Sequence, residues 1–218
     1  MIRRLRLLFV ALATLVLAGC ATQPFDYTAY RQHQPASVLV LPPLNHSVEV
    51  NASASLMSRA VQPLAESGYY VFPVATVQEV FRSNGLDDPG EIHNVQPSRL
   101  REIFGADAAL YLDVTEYGTS YMLLASATQV QVKARLVDLA TGTEIWSGKA
   151  AASSAESQQS SGGLVAMLIV AVVQQIVDTV TDRGFEIAGL ASQRLLWAGM
   201  PNGPLFGPRS SRFQGARP

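Results

Sequence analysis

The sequence predicts an α/β fold: a mixed sheet built in the order β-α-β-α-α-β-β-β, with helices packed on it and C-terminal apolar helices after it. Three observations lead there. The run Ser37-Val38-Leu39-Val40-Leu41 is short, continuous and rich in β-branched residues, which suits a strand buried on both faces. Segments with apolar residues at helical spacing follow it, bounded by Asn, Pro or Gly. From residue 109 onward, three long stretches alternate apolar and polar residues with the period of two that marks strands with one solvated face. A chain of 218 residues, 48% of them hydrophobic, is ample for one core, placed at 37–200.

Taken in order, Pro42-Pro43 ends the first strand because neither residue can donate to a ladder. Asn51 is placed to cap a helix over 52–66, whose Leu56, Ala60, Val61 and Leu64 share a face and which Gly68 stops. Residues 69–74 read as a second strand, with Pro73 favouring an edge or a strand end. Thr76 with Glu79 has the spacing of a capping box, opening a helix through Phe81 to Asn84-Gly85. Residues 86–96 are polar and turn-rich. Pro97-Ser98 then opens a short helix through Leu100, Ile103 and Phe104, closed by Gly105. Strands follow over 109–117, 128–139 and 144–152, with Gln129, Gln131, Lys133 and Arg135 facing away from Val130, Val132, Ala134 and Leu136. Thr141-Gly142 supplies a turn residue able to take positive φ, so the last two strands form a hairpin.

Residues 153–163, rich in Ser, Gln and Gly, read as a hinge. Leu164 to Val173 is then an unbroken apolar stretch, the centre of a segment over 162–181. As a helix it is about 15 Å long, half a bilayer core, and apolar all round. Something must cover both sides. The core or a second copy of the chain, a membrane or pore, and an extended buried strand are the three readings; Leu168, Ile169, Val172 and Val173 are the interface residues of the second-copy reading. A last helix over 185–197 carries Ile187, Leu190, Leu195 and Ala198 at helical spacing, and 201–218 reads as a disordered tail.

The N-terminus has a separate job. Arg3, Arg4 and Arg6 form a positive region, Leu7 to Leu17 an apolar one, and Leu17-Ala18-Gly19-Cys20 closes them with small residues before the only cysteine. That is the layout of a bacterial secretory signal, residues 1–19, and its apolar run is too short to span a bilayer. The start resembles that of bacterial lipoproteins. The resemblance implies a diacylglyceryl group on the Cys20 sulfur, cleavage before it, and acylation (palmitate) of the new amine. One acyl chain binds a membrane marginally and several bind it stably. Ala21 stands where an aspartate would resemble the inner-membrane retention signal, so the periplasmic face of the outer membrane is expected. Residues 20–36, with two prolines, several Gln and few aliphatic side chains, read as the acylated N-terminus and an extended tether.

Cleavage removes three of the 16 basic residues and none of the 17 acidic ones, leaving a formal charge near −4. Lys133 and Lys149 are the only lysines and the arginines are scattered, so no nucleic-acid footprint is present. With one cysteine, disulfides and thiolate metal sites are excluded. His33, His46 and His93 are isolated and read as solvated; no metal or cofactor is expected. No nucleophile elbow, P-loop or dinucleotide fingerprint occurs. Asp87, Asp88 and Glu91 lack the alternation of a calcium loop and read as a solvated turn. The loop over 42–47 follows the first strand where α/β folds often place ligands, with Asn45 and Ser47 otherwise serving turn amides.

Several stretches carry a family resemblance: Leu17-Ala18-Gly19-Cys20-Ala21, Val38-Leu39-Val40-Leu41-Pro42-Pro43-Leu44-Asn45, Gly68-Tyr69-Tyr70-Val71, Gly105-Ala106-Asp107-Ala108-Ala109-Leu110, and the hairpin from Leu136 to Trp146. They resemble a family of Gram-negative lipoproteins that includes a neisserial genome-derived vaccine antigen. The hairpin is similar to those of periplasmic domains of the TolB N-terminal and curli-secretion (CsgG) type. The resemblance implies a fold and an address and assigns no catalytic residue. The expectation is a lipid-anchored, non-enzymatic structural or assembly partner in a cell-envelope complex, homo-oligomeric and bound to other envelope proteins. The alternative is an export or pore component that uses the segment 162–181.

Overall fold

The computed structural model describes residues 25–121, 126–157 and 183–215. The first strand is β1 (Ser37–Val40), whose Val38, Leu39 and Val40 are fully buried. It runs parallel to β3 (Tyr70–Val71) on one side and to β4 (Ala108–Tyr121) on the other. β4, β5 (Ser126–Asp138) and β6 (Glu144–Ser153) continue as an antiparallel meander, and the sheet order is β3-β1-β4-β5-β6. After Pro42-Pro43 the chain regains the sheet briefly as β2 (Leu44–Asn45), parallel to β4. The expected α/β mixed sheet is therefore present, with β3 at an edge and ending before Pro73, which starts the next helix.

Helix α2 (Ala52–Glu66) buries Leu56, Ala60 and Leu64 and packs against α6 (Arg183–Leu196), which lies on β5 and β6. On α6 the buried positions are Ile187, Ala188, Ala191, Ser192, Leu195 and Leu196, while Leu190 turns outward. Small residues at 188, 191 and 192 let α6 sit close to the strands, and that places the inner face one position away from the one the aliphatic spacing suggested. On the sheet, Val130, Val132, Ala134 and Leu136 are buried while Gln131, Lys133 and Arg135 are exposed, as the alternation requires.

Helix starts differ from expectation. Asn51 occupies the residue before α2 in a helical conformation and makes no side-chain cap bond. α3 (Val74–Ser83) begins directly after Pro73, so Thr76 lies inside its first turn and no capping box forms. The turn-rich stretch contains a short helix, α4 (Pro89–His93), because the Asp88 carboxylate accepts the Glu91 amide at 3.0 Å. α5 (Pro97–Phe104) closes on Gly105 at φ 69°, as read from the sequence.

Between β5 and β6 the loop is wider than a two-residue turn. Gly142, at φ 75°, donates to the Asp138 carbonyl at 2.8 Å, and the Asp138 carboxylate accepts the Thr141 amide and hydroxyl at 2.8 and 2.7 Å. Burial pushes the Asp138 carboxyl up, but the Thr141 hydrogen bonds and nearby His33 outweigh it and hold it below its ordinary value.

Two boundaries need correction. The tether expected over 20–36 is not extended through its second half: α1 (Thr28–His33) buries Tyr30 to 2% exposure, and Phe25 and Tyr27 pack on the core. The tail expected to be disordered from 201 is docked as far as 215. The Tyr27 hydroxyl donates to the Gly203 carbonyl at 2.6 Å, and the Trp146 indole to that of Asn202 at 2.9 Å. The Tyr69 hydroxyl donates to the Leu205 carbonyl, and the Gly207 amide to that of Ser67 at 2.8 Å. The folded body spans 25–215 among the described residues rather than 37–200, because aromatic rings and irregular backbone supply what aliphatic periodicity does not.

Candidate functional site

The lipidation residue Cys20 and the interface residues Leu168, Ile169, Val172 and Val173 lie outside the described residues. The structure does show where the chain leaves and re-enters the body around 158–182. β6 runs into a 3-10 turn, Ser154–Ser157, and α6 begins beside Tyr117, against which a Cβ on Gly184 would fall at 2.6 Å. Both points lie at the end of the sheet opposite the start of β1. Among the described residues no helix is long and apolar enough to cross a membrane.

The loop over 42–47 is occupied by its own hydrogen bonds. The Asn45 carboxamide oxygen accepts the Ser47 amide and hydroxyl at 2.9 and 2.7 Å, and its nitrogen donates to the Glu49 carbonyl at 2.8 Å. This fits the turn-building reading of Asn45 and Ser47. Among the described residues no three His, Cys, Asp or Glu side chains are grouped to hold a metal. The histidines are not simply solvated, however. His33 Nδ1 lies 3.4 Å from Asp138, and His46 Nε2 lies 2.9 Å from Asp113. His93 Nε2 meets the Pro42 carbonyl at 2.9 Å; a carbonyl only accepts, so the hydrogen is on Nε2. Burial is the main cause holding the His93 imidazole below its ordinary value, seconded by Arg135. Their partners lie on β4, on β5 and in the loop after β1, far along the chain, which local sequence does not reveal.

The solvated face of the sheet forms a cleft of about 450 Å³. Lys133 stands directly opposite Lys149 across β5 and β6, so the chain's only two lysines are cross-strand neighbours. Arg135 lies over the Tyr111 ring at 4.2 Å, and His93 meets that ring edge-on at 5.1 Å. The alternation placed Lys133 and Arg135 on one face; only the β5–β6 register brings Lys149 to them. The two ammonium groups concentrate positive charge in the cleft, and Arg135 and His93 stack on Tyr111.

A second cleft, of about 320 Å³, lies where α1 meets the docked tail, between Tyr30, Tyr69, Arg31, Phe206, Arg212 and Phe213. The Tyr30 and Tyr69 hydroxyls are 2.7 Å apart, and burial, first of all, raises both phenols above their ordinary value. Sequence reasoning missed this cleft. The available signal was the density of aromatics and arginines in 25–31 and 206–213, which a tether or a disordered tail does not need.

Comparison with known proteins gives a consistent family. The family model described as Putative lipoprotein GNA1162-like matches residues 25–209. The Neisseria meningitidis serogroup B protein named Putative lipoprotein NMB1124/NMB1162 is 47% identical over 200 residues, 90% of this chain and 93% of that protein. The crystal structure of lipoprotein GNA1162 from Neisseria meningitidis shares 51% sequence identity with a TM-score of 0.53, over 66% of this chain and 99% of that one. A family match over residues 25–209, together with 47% identity to a neisserial relative over 200 aligned residues, shows that this chain belongs to the GNA1162-like lipoprotein family.

Proposed function

We propose that this chain is a lipid-anchored envelope protein, acylated on Cys20 after removal of residues 1–19, that stands on the periplasmic face of the outer membrane and acts there as a structural or assembly partner. The observation that carries this reading is Leu17-Ala18-Gly19-Cys20 behind an arginine-bearing, apolar leader, in a chain that belongs to a lipoprotein family. Ala21 favours the outer membrane. The clefts support a binding role: they present guanidinium, ammonium and aromatic groups. Replacing Cys20 with Ser removes the thiol that takes the lipid. Cys20→Ser protein is expected to incorporate no labelled palmitate and to be absent from the outer-membrane fraction. Palmitate incorporation with outer-membrane sedimentation by that variant would disprove the anchor.

Self-association is the second part of the proposal. The run Leu164 to Val173, if helical, would be apolar all round, and a second copy of the chain is the cover proposed for Leu168, Ile169, Val172 and Val173. A carboxylate placed in a buried interface must be desolvated or neutralised, so Ile169→Asp is expected to weaken assembly by several kcal/mol. Sedimentation of protein lacking residues 1–20 measures this; a parent that is monomeric at tens of micromolar would end the oligomer reading.

A further inference from the structure

We propose that the end of the body formed by α1 and the docked tail is its membrane-facing surface, and that Arg31, Arg209 and Arg212 seat it on anionic phospholipid headgroups. The inference rests on acylation at Cys20 and adds which face the anchor turns toward the bilayer. Four residues separate Cys20 from Phe25, the first residue of the described body. However they are arranged, that stretch reaches at most about 18 Å. Phe25 is not free to swing, because its ring lies 4.7 Å from that of Tyr27, whose hydroxyl is tied to Gly203. The lipid therefore enters the bilayer close to α1 and the tail.

The chemistry of that end suits the headgroup layer. Arg31 lies over Tyr27 at 6.0 Å, Arg209 over Tyr70 at 5.6 Å and Arg212 over Phe206 at 5.4 Å. Aromatic rings and long cationic side chains that keep the charged head in water are the residues enriched at membrane interfaces. Tyr70 is 46% exposed despite its size. Away from this end, Arg82, Arg99, Arg183 and Arg194 each face a glutamate, while Arg59 and Arg135 lie over the rings of Phe185 and Tyr111. Among the described residues none of Arg31, Arg209 and Arg212 has a carboxylate within ion-pair distance. Acids at this end are already engaged: Asp26 holds the Thr28 amide and hydroxyl, Asp107 holds Ser37, and Asp138 holds Thr141. In a mature chain of net charge near −4, an anionic surface repels the body as a whole and attracts this end, which orients it. The opposite end carries Val48 and Val50, 95% and 89% exposed, beside Glu49, which touches the Gly118 region of β4. Ten residues of strand separate Gly118 from the start of β4, which puts that end about 30 Å away.

The test uses the acylated protein reconstituted into vesicles. Cys20 is the only cysteine and its sulfur carries lipid, so Ser211→Cys and Val50→Cys each create a single site for a fluorophore, one at each end. In vesicles of phosphatidylethanolamine and phosphatidylglycerol with headgroup-quencher lipid, the label at 211 is expected to be quenched and the label at 50 to stay bright. Combining Arg31→Gln, Arg209→Gln and Arg212→Gln, or raising salt to about 1 M where the Debye length is about 3 Å, should cut the quenching at 211 several-fold. An unchanged melting temperature shows that the triple variant is folded. Equal brightness at 211 and 50 while the protein still sediments with vesicles, or equal quenching at 211 in vesicles of phosphatidylethanolamine and phosphatidylcholine, overturns the proposal and leaves the anchor standing. Protein that does not sediment with vesicles at all takes the anchor down with it.

Discussion

Ending the chain at residue 200 is expected to lower the unfolding free energy by at least about 3 kcal/mol, a large share of the roughly 5–15 kcal/mol typical of a domain. The tail accepts hydrogen bonds from Tyr27, Tyr69 and Trp146 and donates two backbone bonds, Gly207 to Ser67 at 2.8 Å and Arg209 to Gly68 at 3.1 Å. Each is worth about 1 kcal/mol net, and losing the acceptors leaves aromatic donors at the edge of the core without partners. Truncation also uncovers Tyr30 and Tyr69, now 2% and 4% exposed. A point substitution should reproduce much of this. Gly68 has φ 95°, and a Cβ there would fall 2.4 Å from the Ser210 amide nitrogen, so Gly68→Val both strains its own backbone and pushes the tail away. Gly142→Val strains a turn that has nothing closer than Pro97 at 3.8 Å and should cost less. Urea unfolding of the protein without its leader measures all three; a truncated chain with the parental midpoint would show the tail to be ornamental to stability.

Asp107→Ala is the second expected large loss, about 2 kcal/mol or more. The Asp107 carboxylate accepts the amides of Ala36 and Ser37 at 3.0 Å and the Ser37 hydroxyl at 2.8 Å, while its own amide donates back to that hydroxyl at 3.0 Å. These bonds join the first residues of β1 to the first residues of β4, seventy positions along the chain, and set the parallel register in which Val38 pairs Ala108. Hydrogen bonds to an ionised acceptor are stronger than neutral ones, and removing the acceptor leaves two backbone donors unmade. Asp107→Asn keeps one acceptor oxygen and should lose less. Ser37→Ala combined with Asp107→Ala should be far from additive, since the pair forms one network. Additive midpoints in thermal unfolding would mean that the two residues act separately. This clamp gives a physical role to the Gly105-Ala106-Asp107-Ala108 stretch, which carries part of the family resemblance.

Much of the fold was legible because its signals are local. Alternation over 128–139 follows from the two-residue pleat, and it placed Lys133 and Arg135 on the solvated face without any knowledge of the partner strand. Pro97 and Gly105 bracket α5 because one presets the helical φ and the other tolerates a left-handed one. Capping was less legible. Asn51 and Thr76 had suitable side chains, but the preceding turn and Pro73 determined the backbone geometry and left those side chains without a cap bond to make.

The alternation that builds the strand meander and the Leu17-Ala18-Gly19-Cys20 motif can be read along the chain alone, since each depends on residue types at short, fixed spacing. That 25–36 and 201–215 belong to the body is visible only in the folded chain. Their order comes from tyrosine and tryptophan donors reaching carbonyls as many as 176 positions away, bonds that leave no period in the sequence. The pairing of Lys133 with Lys149, and the gathering of Arg31, Arg209 and Arg212 around one end of the sheet, were decided in the same way. Register and chain closure bring together charges that are far apart along the chain, and no local pattern encodes where two distant segments will meet.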